Sequence, residues 1–282
     1  MPDQPDLTSA GASPLGRAVA YRSDYTPELL FPIARGPKRA EIGIERDPPF
    51  VGEDLWNAYE LSWLDPRGKP VVAIGSFRVP AASPRLVESK SLKLYLNSFN
   101  GSRFDGVEAV RLRIAEDLSE ATGSRVGVAI QRLGDRPERI VAAAEGTLID
   151  DIDLEIEDYT PCPERLRAEL TAPLVQETLV SQLLKSNCLV TGQPDWATLI
   201  IRYRGHPIDR AALLRYVVSF RNHNEFHEQC VERIFMDVRR QCRPQRLAVW
   251  ARYTRRGGLD INPFRADAQD ATPPANFGDI RQ

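Results

Sequence analysis

What this sequence lacks narrows it first. It has no apolar run long enough to cross a bilayer. Its opening, MPDQPDLTSAGASPLG, is polar and acidic and carries no apolar signal-peptide core. An excess of one charge is missing too. The 37 Lys and Arg against 39 Asp and Glu leave a net charge of -2, and neither half is conspicuously basic. That balance argues against a dedicated nucleic-acid surface and against electrostatic docking on an anionic membrane. Cysteine is scarce: four residues, Cys162, Cys188, Cys230 and Cys242, with no CxxC spacing and no compact disulfide framework. Without a secretion signal, free thiols in a reducing cytoplasm are expected. The three histidines, His206, His223 and His227, are too scattered for a standard zinc motif. No GxGxxG follows a strand and no GxxxxGK[ST] occurs, so neither a Rossmann nor a P-loop nucleotide site is supported. GxSxG is absent as well.

What is present is a mixed α and β pattern across 282 residues, enough for one large or two small domains. Residues 1–50 are rich in Pro, Gly, Asp and Arg and read as an irregular leader. LWNAYELSWL and PVVAIGSFRV, joined by DPRGK, read as a hairpin. Residues 89–99 and 107–121 read as helices, the second with Val107, Val110, Leu112, Ile114 and Leu118 on an approximate face. SRVGVAIQRL and RIVAAAEGTLI follow as strands. The second half repeats this order. ETLVSQLLKSNCLV and ATLIIRYRG read as strands, 209–220 and 224–242 as helices, RLAVWARYT as a strand and GLDIN as a short last one. An internal echo supports duplication: Tyr95, Ser98 and Phe99 recur as Tyr216, Ser219 and Phe220, and RIAEDL at 113–118 recurs as RIFMDV at 233–238. Two copies of one module, over 51–150 and 151–282, are the expectation.

Four stretches carry chemistry. Cys188 ends an apolar run and precedes LVTGQPDW. A cysteine at a strand end is more often a small buried core residue than a nucleophile. Lys185 nearby would favour thiolate, and Asp195, beyond a turn, would suit proton delivery to an electrophile attacked by sulfur. In NHNEFHEQCVERIF, Asn224 is a fair N-cap, which puts Glu225, Phe226 and His227 in the first turn. His227 then shares an inward face with Cys230, Val231, Ile234, Phe235 and Val238. It reads either as a hydrogen-bonded core histidine or as a proton carrier. Glu228 reads as a paired carboxylate or a solvated helix charge. In ESKSLKLYLNSFN, Glu88 and Ser89 open a helix. That is ordinary dipole chemistry unless a ligand is present: Glu can accept from a base or amine, while Ser and Lys can hold phosphate. In YTRRGGLDINP, Arg255 and Arg256 before a Gly pair can grip phosphate or form an exposed turn.

Together these four blocks, in this order, resemble the NADPH-dependent 7-cyano-7-deazaguanine reductases, the QueF nitrile reductases of queuosine biosynthesis, in their long two-module form. The resemblance runs from about LWNAYELSWL to LDINP, most of the chain. It implies an α+β chain of tandem tunnelling folds (T-folds), related to GTP cyclohydrolase I, each an antiparallel sheet backed by two helices. It also implies a cytoplasmic homodimer, with no nucleic-acid or membrane partner and no metal. Carried over by residue, the resemblance makes Cys188 the nucleophile that forms a covalent thioimide with the substrate nitrile. Asp195 becomes the proton donor and His227 a proton-handling, substrate-contacting group. Val87, Glu88, Ser89, Phe226, His227 and Glu228 are implied to hold 7-cyano-7-deazaguanine. Ser89, Lys90, Arg256 and Gly257 are implied to contact NADPH, two of which are consumed per amine formed. Gly192 stands where some relatives are expected to have a larger residue. The first half has no cysteine, so one nucleophile per chain is expected. Another tunnelling-fold purine or pterin enzyme, or a non-catalytic purine-binding module, are the alternatives. The first would need metal ligands that are not evident, and intact Cys188 and Asp195 count against the second.

Overall fold

The computed structural model describes residues 21–135, 141–267 and 272–282. They divide into two compact units. The first takes the described residues among 1–41, 54–139 and 255–260; the second takes those among 42–53, 140–254 and 261–282. The architecture is α+β in both.

In the first unit, the leader is not irregular throughout. It forms β1 (Pro32–Ala34) and α1 (Gly36–Glu41) before β2 (Val51–Leu64) and β3 (Pro70–Pro80). The tip between β2 and β3 forms as expected. Asp65 accepts from the backbone N–H groups of Arg67 and Lys69, and Gly68 takes φ +86°, a conformation that favours glycine. Then come β4 (Arg85–Val87), α2 (Ser89–Asn97), α3 (Val107–Thr122) and β5 (Gly127–Arg132). The sheet order is β5-β3-β2, and β5 pairs antiparallel with β3 from Ala73↔Arg132 to Arg78↔Gly127. Val110, Ile114 and Leu118 of α3 are buried, but Leu112 is 54 % exposed. It sits two residues from Val110 and so turns away from the face set by the 3.6-residue period.

The leader has a definite task in this unit. β1 pairs antiparallel with β4, Pro32↔Val87 and Ala34↔Arg85. The N–H of Glu88 donates to the Phe31 carbonyl at 2.9 Å, and that of Phe31 donates to Ser91 Oγ at 3.0 Å. The leader therefore splints the residues that open α2. A buried Arg35–Asp54 ion pair at 2.5 Å anchors the splint to β2.

In the second unit, β6 (Thr147–Leu148), β7 (Val175–Asn187), β8 (Pro194–Gly205), α4 (Arg210–Ser219), α5 (His227–Cys242), β9 (Arg246–Tyr253) and β10 (Leu259–Ala266) follow. The sheet order is β10-β9-β8-β7-β6, antiparallel except for β6 against β7. The strand read over RIVAAAEGTLI is not formed as expected: of its described residues only Thr147 and Leu148 are strand, and they run parallel to β7 in this unit. Part of that stretch lies outside the described residues. The last strand is longer than GLDIN, running on through Phe264 to Ala266. Cys230, Val231, Ile234, Phe235 and Val238 of α5 are fully buried, as their spacing predicts. Each large side chain among them contributes about 1.5–3 kcal/mol by leaving water.

The internal echo becomes geometry. Tyr95 donates to Asp117 at 2.5 Å, and Tyr216 donates to Asp237 at 2.7 Å. Ser98 and Ser219 each donate to the carbonyl of their own motif tyrosine at 2.6 Å. The Tyr95–Phe99 and Tyr216–Phe220 rings meet edge-on at 5.2 Å in both copies. The residues that repeat in sequence are thus the ones that tie the two helices of each unit together.

Candidate active site

Cys188 and Asp195 are placed by the β7–β8 hairpin. Its register pairs Ser186 with Asp195 and Asn187 with Pro194. The Cys188 N–H donates to the Gln193 carbonyl at 2.8 Å, and the Gly192 N–H to the Cys188 carbonyl at 3.0 Å. Side chains alternate along strands, so Ser186, Cys188 and Asp195 share one face of the hairpin. Across β9, Ala197 pairs with Tyr253, which puts Tyr253 on that face too. Cys188 is 6 % exposed and Asp195 is buried. Gly192, in the connecting loop, has φ +66° with nothing near an added Cβ. Glycine suits that backbone, and the space beside it is open.

Lys185 falls on the opposite face. Its ammonium donates to Asn187 Oδ1 at 2.5 Å and to the Arg221 carbonyl at 2.7 Å. Burial, and then the Arg221 charge, lower its pKa from the ordinary lysine value. It braces the hairpin end rather than the Cys188 sulfur, so nearness in sequence misled here.

α5 supplies the third group. His227 Nε2 lies 3.3 Å from Asp195 Oδ1, and the imidazole stacks on Tyr253 with ring centroids 3.9 Å apart. The helix begins at His227, not after Asn224. Asn224 is drawn into a parallel bridge with Asn187, whose side-chain amide donates to Asn224 Oδ1 at 3.0 Å. The cap position passes to Phe226, whose N–H donates to Gln229 Oε1 at 3.4 Å. His227 therefore occupies the first helical position, facing the hairpin. Glu228 is 2 % exposed, so it is not a solvated helix charge. Glu225 is also buried. It accepts from Arg233 Nε and Nη2 at 3.0 and 2.8 Å and lies 3.0 Å from His223 Nε2. Burial acts to raise its pKa, but the His223 and Arg233 bonds and charges win and lower it. The sequence reading placed Glu225 in the first turn of the helix and gave it no role; it lies before the helix and pairs with Arg233 from there.

The first unit holds the other predicted residues. Val87 ends β4, and Glu88 is the N-cap of α2, accepting from the Lys90 and Ser91 N–H groups at 2.7 and 2.8 Å. It is fully buried, and that burial raises its pKa despite the backbone bonds. Ser89 Oγ donates to Glu88 Oε1 at 3.3 Å. The acid has a counterpart in the other copy: Asp209 caps α4 through the Ala212 N–H at 3.0 Å. Asp209 differs in environment, being half-exposed, with Arg167 bonded to it.

Arg256 and Gly257 lie in a two-residue turn. The Arg256 and Leu259 backbones bond reciprocally at 2.9 and 3.0 Å, and Gly257 and Gly258 take φ +56° and +79°. Nothing lies within 4 Å of a Cβ added at Gly257, whereas one at Gly258 would meet the Glu60 carboxyl at 2.5 Å. Glu60 also pairs with Lys93, one turn along α2 from Ser89 and Lys90. This glutamate, unremarked in the sequence, joins α2 to the Arg-Gly-Gly turn. The Arg255 guanidinium covers the Tyr59 ring at 4.6 Å. These residues fit a phosphate-bearing dinucleotide: the backbone at Gly257 is open, and cationic side chains flank it. The α2 amides do not contribute, because the Glu88 carboxyl occupies them. Among the described residues, no group of three His, Cys, Asp or Glu side chains is placed to hold a metal ion. No helix among them is long and apolar enough to cross a membrane.

Known proteins resemble the chain along nearly its whole length. Residues 21–130 match the family model described as nitrile reductase, 7-cyano-7-deazaguanine-reductase N-term, and residues 194–272 match the model of QueF-like protein. The NADPH-dependent 7-cyano-7-deazaguanine reductase of Azoarcus sp. strain BH72 is 68% identical over 268 residues, 95% of each chain. That of Aromatoleum aromaticum is 63% identical over 274 residues, 97% of this chain and 96% of the relative. That of Dechloromonas aromatica is 62% identical over 272 residues, 96% and 95%. With both family models matched in order and such identity along nearly the whole length, the chain belongs to the NADPH-dependent 7-cyano-7-deazaguanine reductase family.

Proposed function

We propose that this chain reduces the nitrile of 7-cyano-7-deazaguanine to the aminomethyl group, with NADPH as reductant, through a covalent thioimide on Cys188. The observation that carries the reading is one face of one hairpin. It bears a buried cysteine and a buried aspartate, and a histidine lies 3.3 Å from the aspartate. A nitrile carbon is electrophilic, so the Cys188 thiolate adds to it while Asp195 protonates the nitrile nitrogen. The new bond is C–S, and the triple bond becomes C=N–H. NADPH, when bound, supplies the hydride for each of two successive reductions. Between them Cys188 leaves as thiolate. His227, within reach of Asp195, restores the proton that Asp195 has given up, so that Asp195 can give the nitrogen its second proton as the imine takes its hydride. Glu228 and Glu88 present buried carboxylates to the amide and amino edge of the base, Val87 and Ser89 flank Glu88, and Phe226 lies against the flat ring. Ser89, Lys90, Arg256 and Gly257 contact the cofactor. The basic side chains favour the extra phosphate of NADPH over NADH.

The two units, each with a sheet that is antiparallel apart from β6 and a pair of helices held by the same Tyr–Asp tie, support the finer reading of tandem tunnelling folds. Homodimeric assembly belongs to the same proposal.

The experiment is turnover of purified protein with 7-cyano-7-deazaguanine and NADPH. Two NADPH oxidised per amine are expected, together with an adduct visible by intact mass. Cys188→Ala is expected to abolish both. Asp195→Asn is expected to slow adduct formation about a hundredfold or more, the usual contribution of a positioned proton donor, with little effect on substrate affinity. Full turnover by Cys188→Ala would sink the covalent mechanism. Wild-type adduct rates in Asp195→Asn would remove Asp195 as donor.

A further inference from the structure

Tyr253 has no part in the mechanism above, yet it lies at its centre. It ends β9 opposite Ala197, on the face that carries Ser186, Cys188 and Asp195. Its ring stacks on His227 at 3.9 Å between centroids with the planes 24° apart. The side chain is 1 % exposed. Cys230, one helical turn beyond His227 on α5, presents its buried thiol to the same phenol, and burial, followed by the Glu225 charge, pushes that thiol up to about 12. The phenol feels the charge of Asp195 and neighbours Ser186.

The hydroxyl is the telling atom. It is buried, and the groups beside it are the Cys230 thiol and the Ser186 hydroxyl, weak partners that leave it short of a full hydrogen bond. Burying a hydroxyl among such weak partners costs free energy, and phenylalanine would fill the same volume without that cost. An imidazole also needs something to fix its plane, because its terminal torsion is broad. The stacked ring provides this, from a strand that is itself paired to the aspartate's strand.

We propose that Tyr253 is a positioning residue for the Asp195–His227 pair: its ring fixes the plane of the imidazole, and its buried hydroxyl stands as a donor on the Asp195 side of the site. The inference rests on the proton-transfer roles proposed above for Asp195 and His227. Tyr253 itself touches neither the nitrile nor the cofactor in this role. Its effect passes through His227 and Asp195 to the addition step.

The test follows adduct formation on full-length protein mixed with 7-cyano-7-deazaguanine alone, by intact mass against time. Substrate affinity is measured separately in a Cys188→Ala background. Wild type is expected to accumulate the adduct; if it does not, the covalent reading fails and Tyr253 is not at issue. Tyr253→Phe keeps the ring and is expected to melt at or above the wild-type temperature. Its adduct is expected to form about tenfold more slowly, the lower end for losing a group that orients a reacting one, with substrate affinity unchanged. Tyr253→Leu is expected to be slower still. It should also shift the His227 ring-proton resonances, which lose the ring current of the stacked phenol. If Tyr253→Leu does not fold, the phenylalanine variant decides. Wild-type addition rates in the phenylalanine variant overturn the hydroxyl's role. Unchanged rates and His227 resonances in a folded leucine variant overturn the whole inference. A loss of rate matched by an equal loss of substrate affinity also overturns it, because Tyr253 would then be pocket wall.

Discussion

At the scale of single residues, Glu88 is a helix cap for which a second role, in holding the substrate, is proposed. Its carboxyl caps α2 through two backbone N–H groups, and the matching acid Asp209 caps α4. Capping alone accounts for an acid at this position. It does not account for complete burial with a raised pKa, which the half-exposed Asp209 does without. A buried carboxylate gains most from further donors, such as those on the edge of a deazaguanine. Glu88→Gln keeps an acceptor for the helix but removes the charge. Its loss of stability is expected to stay within about 1 kcal/mol, the usual worth of a cap. Its loss of substrate affinity is expected to be tenfold or more, since a hydrogen bond to a charged group is worth about 1.5–3 kcal/mol. Thermal melts and titration with 7-cyano-7-deazaguanine separate the two. Normal affinity with a lowered melting temperature would leave Glu88 a cap only. The acid–hydroxyl–base order was visible in the sequence. That the acid would turn back onto its own helix was not, because capping and ligand binding select the same residue type.

At the scale of elements, helix faces were legible, and so were the starts of α2, α3 and α4 to within one residue, but not the start of α5. The buried stripe of α5 follows its 3.6-residue spacing, and that part of the reading holds. Its first residue was misplaced because Asn224 is a good cap by type but is taken by a tertiary contact with Asn187. The segment before α5 is stitched to β7 by Asn187 N–H to the His223 carbonyl at 2.8 Å and Glu225 N–H to the Asn187 carbonyl at 3.1 Å. The Glu225–Arg233 pair then ties this segment to α5. The equivalent acid and arginine of the first unit, Asp105 and Arg113, make no such pair: Arg113 bonds to Glu116 at the surface. Glu225→Gln leaves Arg233 without its buried counter-charge and is expected to cost about 3 kcal/mol at neutral pH. The sign of the pH dependence follows from the lowered pKa of Glu225. Its stabilisation is present above the ordinary glutamate pKa and is lost as pH falls through the depressed folded value. Urea unfolding of wild type and variant should therefore differ most near neutrality and converge in acid. A constant difference at every pH would show that packing, not the ion pair, is what the substitution removes.

At the scale of the whole molecule, duplication is what the sequence made most legible, and the departures from it are what the sequence hid. The repeated tyrosine, serine, phenylalanine and aspartate positions hold the helices of each unit in the same way. RIVAAAEGTLI reads as a full strand by its apolar residues, where the described residues instead give two strand residues against β7. A leader rich in Pro, Gly, Asp and Arg reads as irregular, whereas β1 splints the opening of α2. Neither departure has a period or a motif, so composition could not announce it. The first unit also leaves β5 paired on one side only, to β3, among the described residues. A six-residue strand with one bare edge is a template for another strand unless something covers it, and β5 carries Val128 and Ile130 half-buried on one face. Symmetric association of two chains would cover such an edge without exposing another. One chain is 31.6 kDa, so light scattering after size exclusion is expected to give twice that mass. Substituting proline for Ala129 or Ile130, at whichever N–H points outward, is expected to shift the mass towards one chain while leaving the β3 pairing in place. A fully active species with the mass of a single chain would remove the dimer from the proposal and leave the β5 edge to be explained within one molecule.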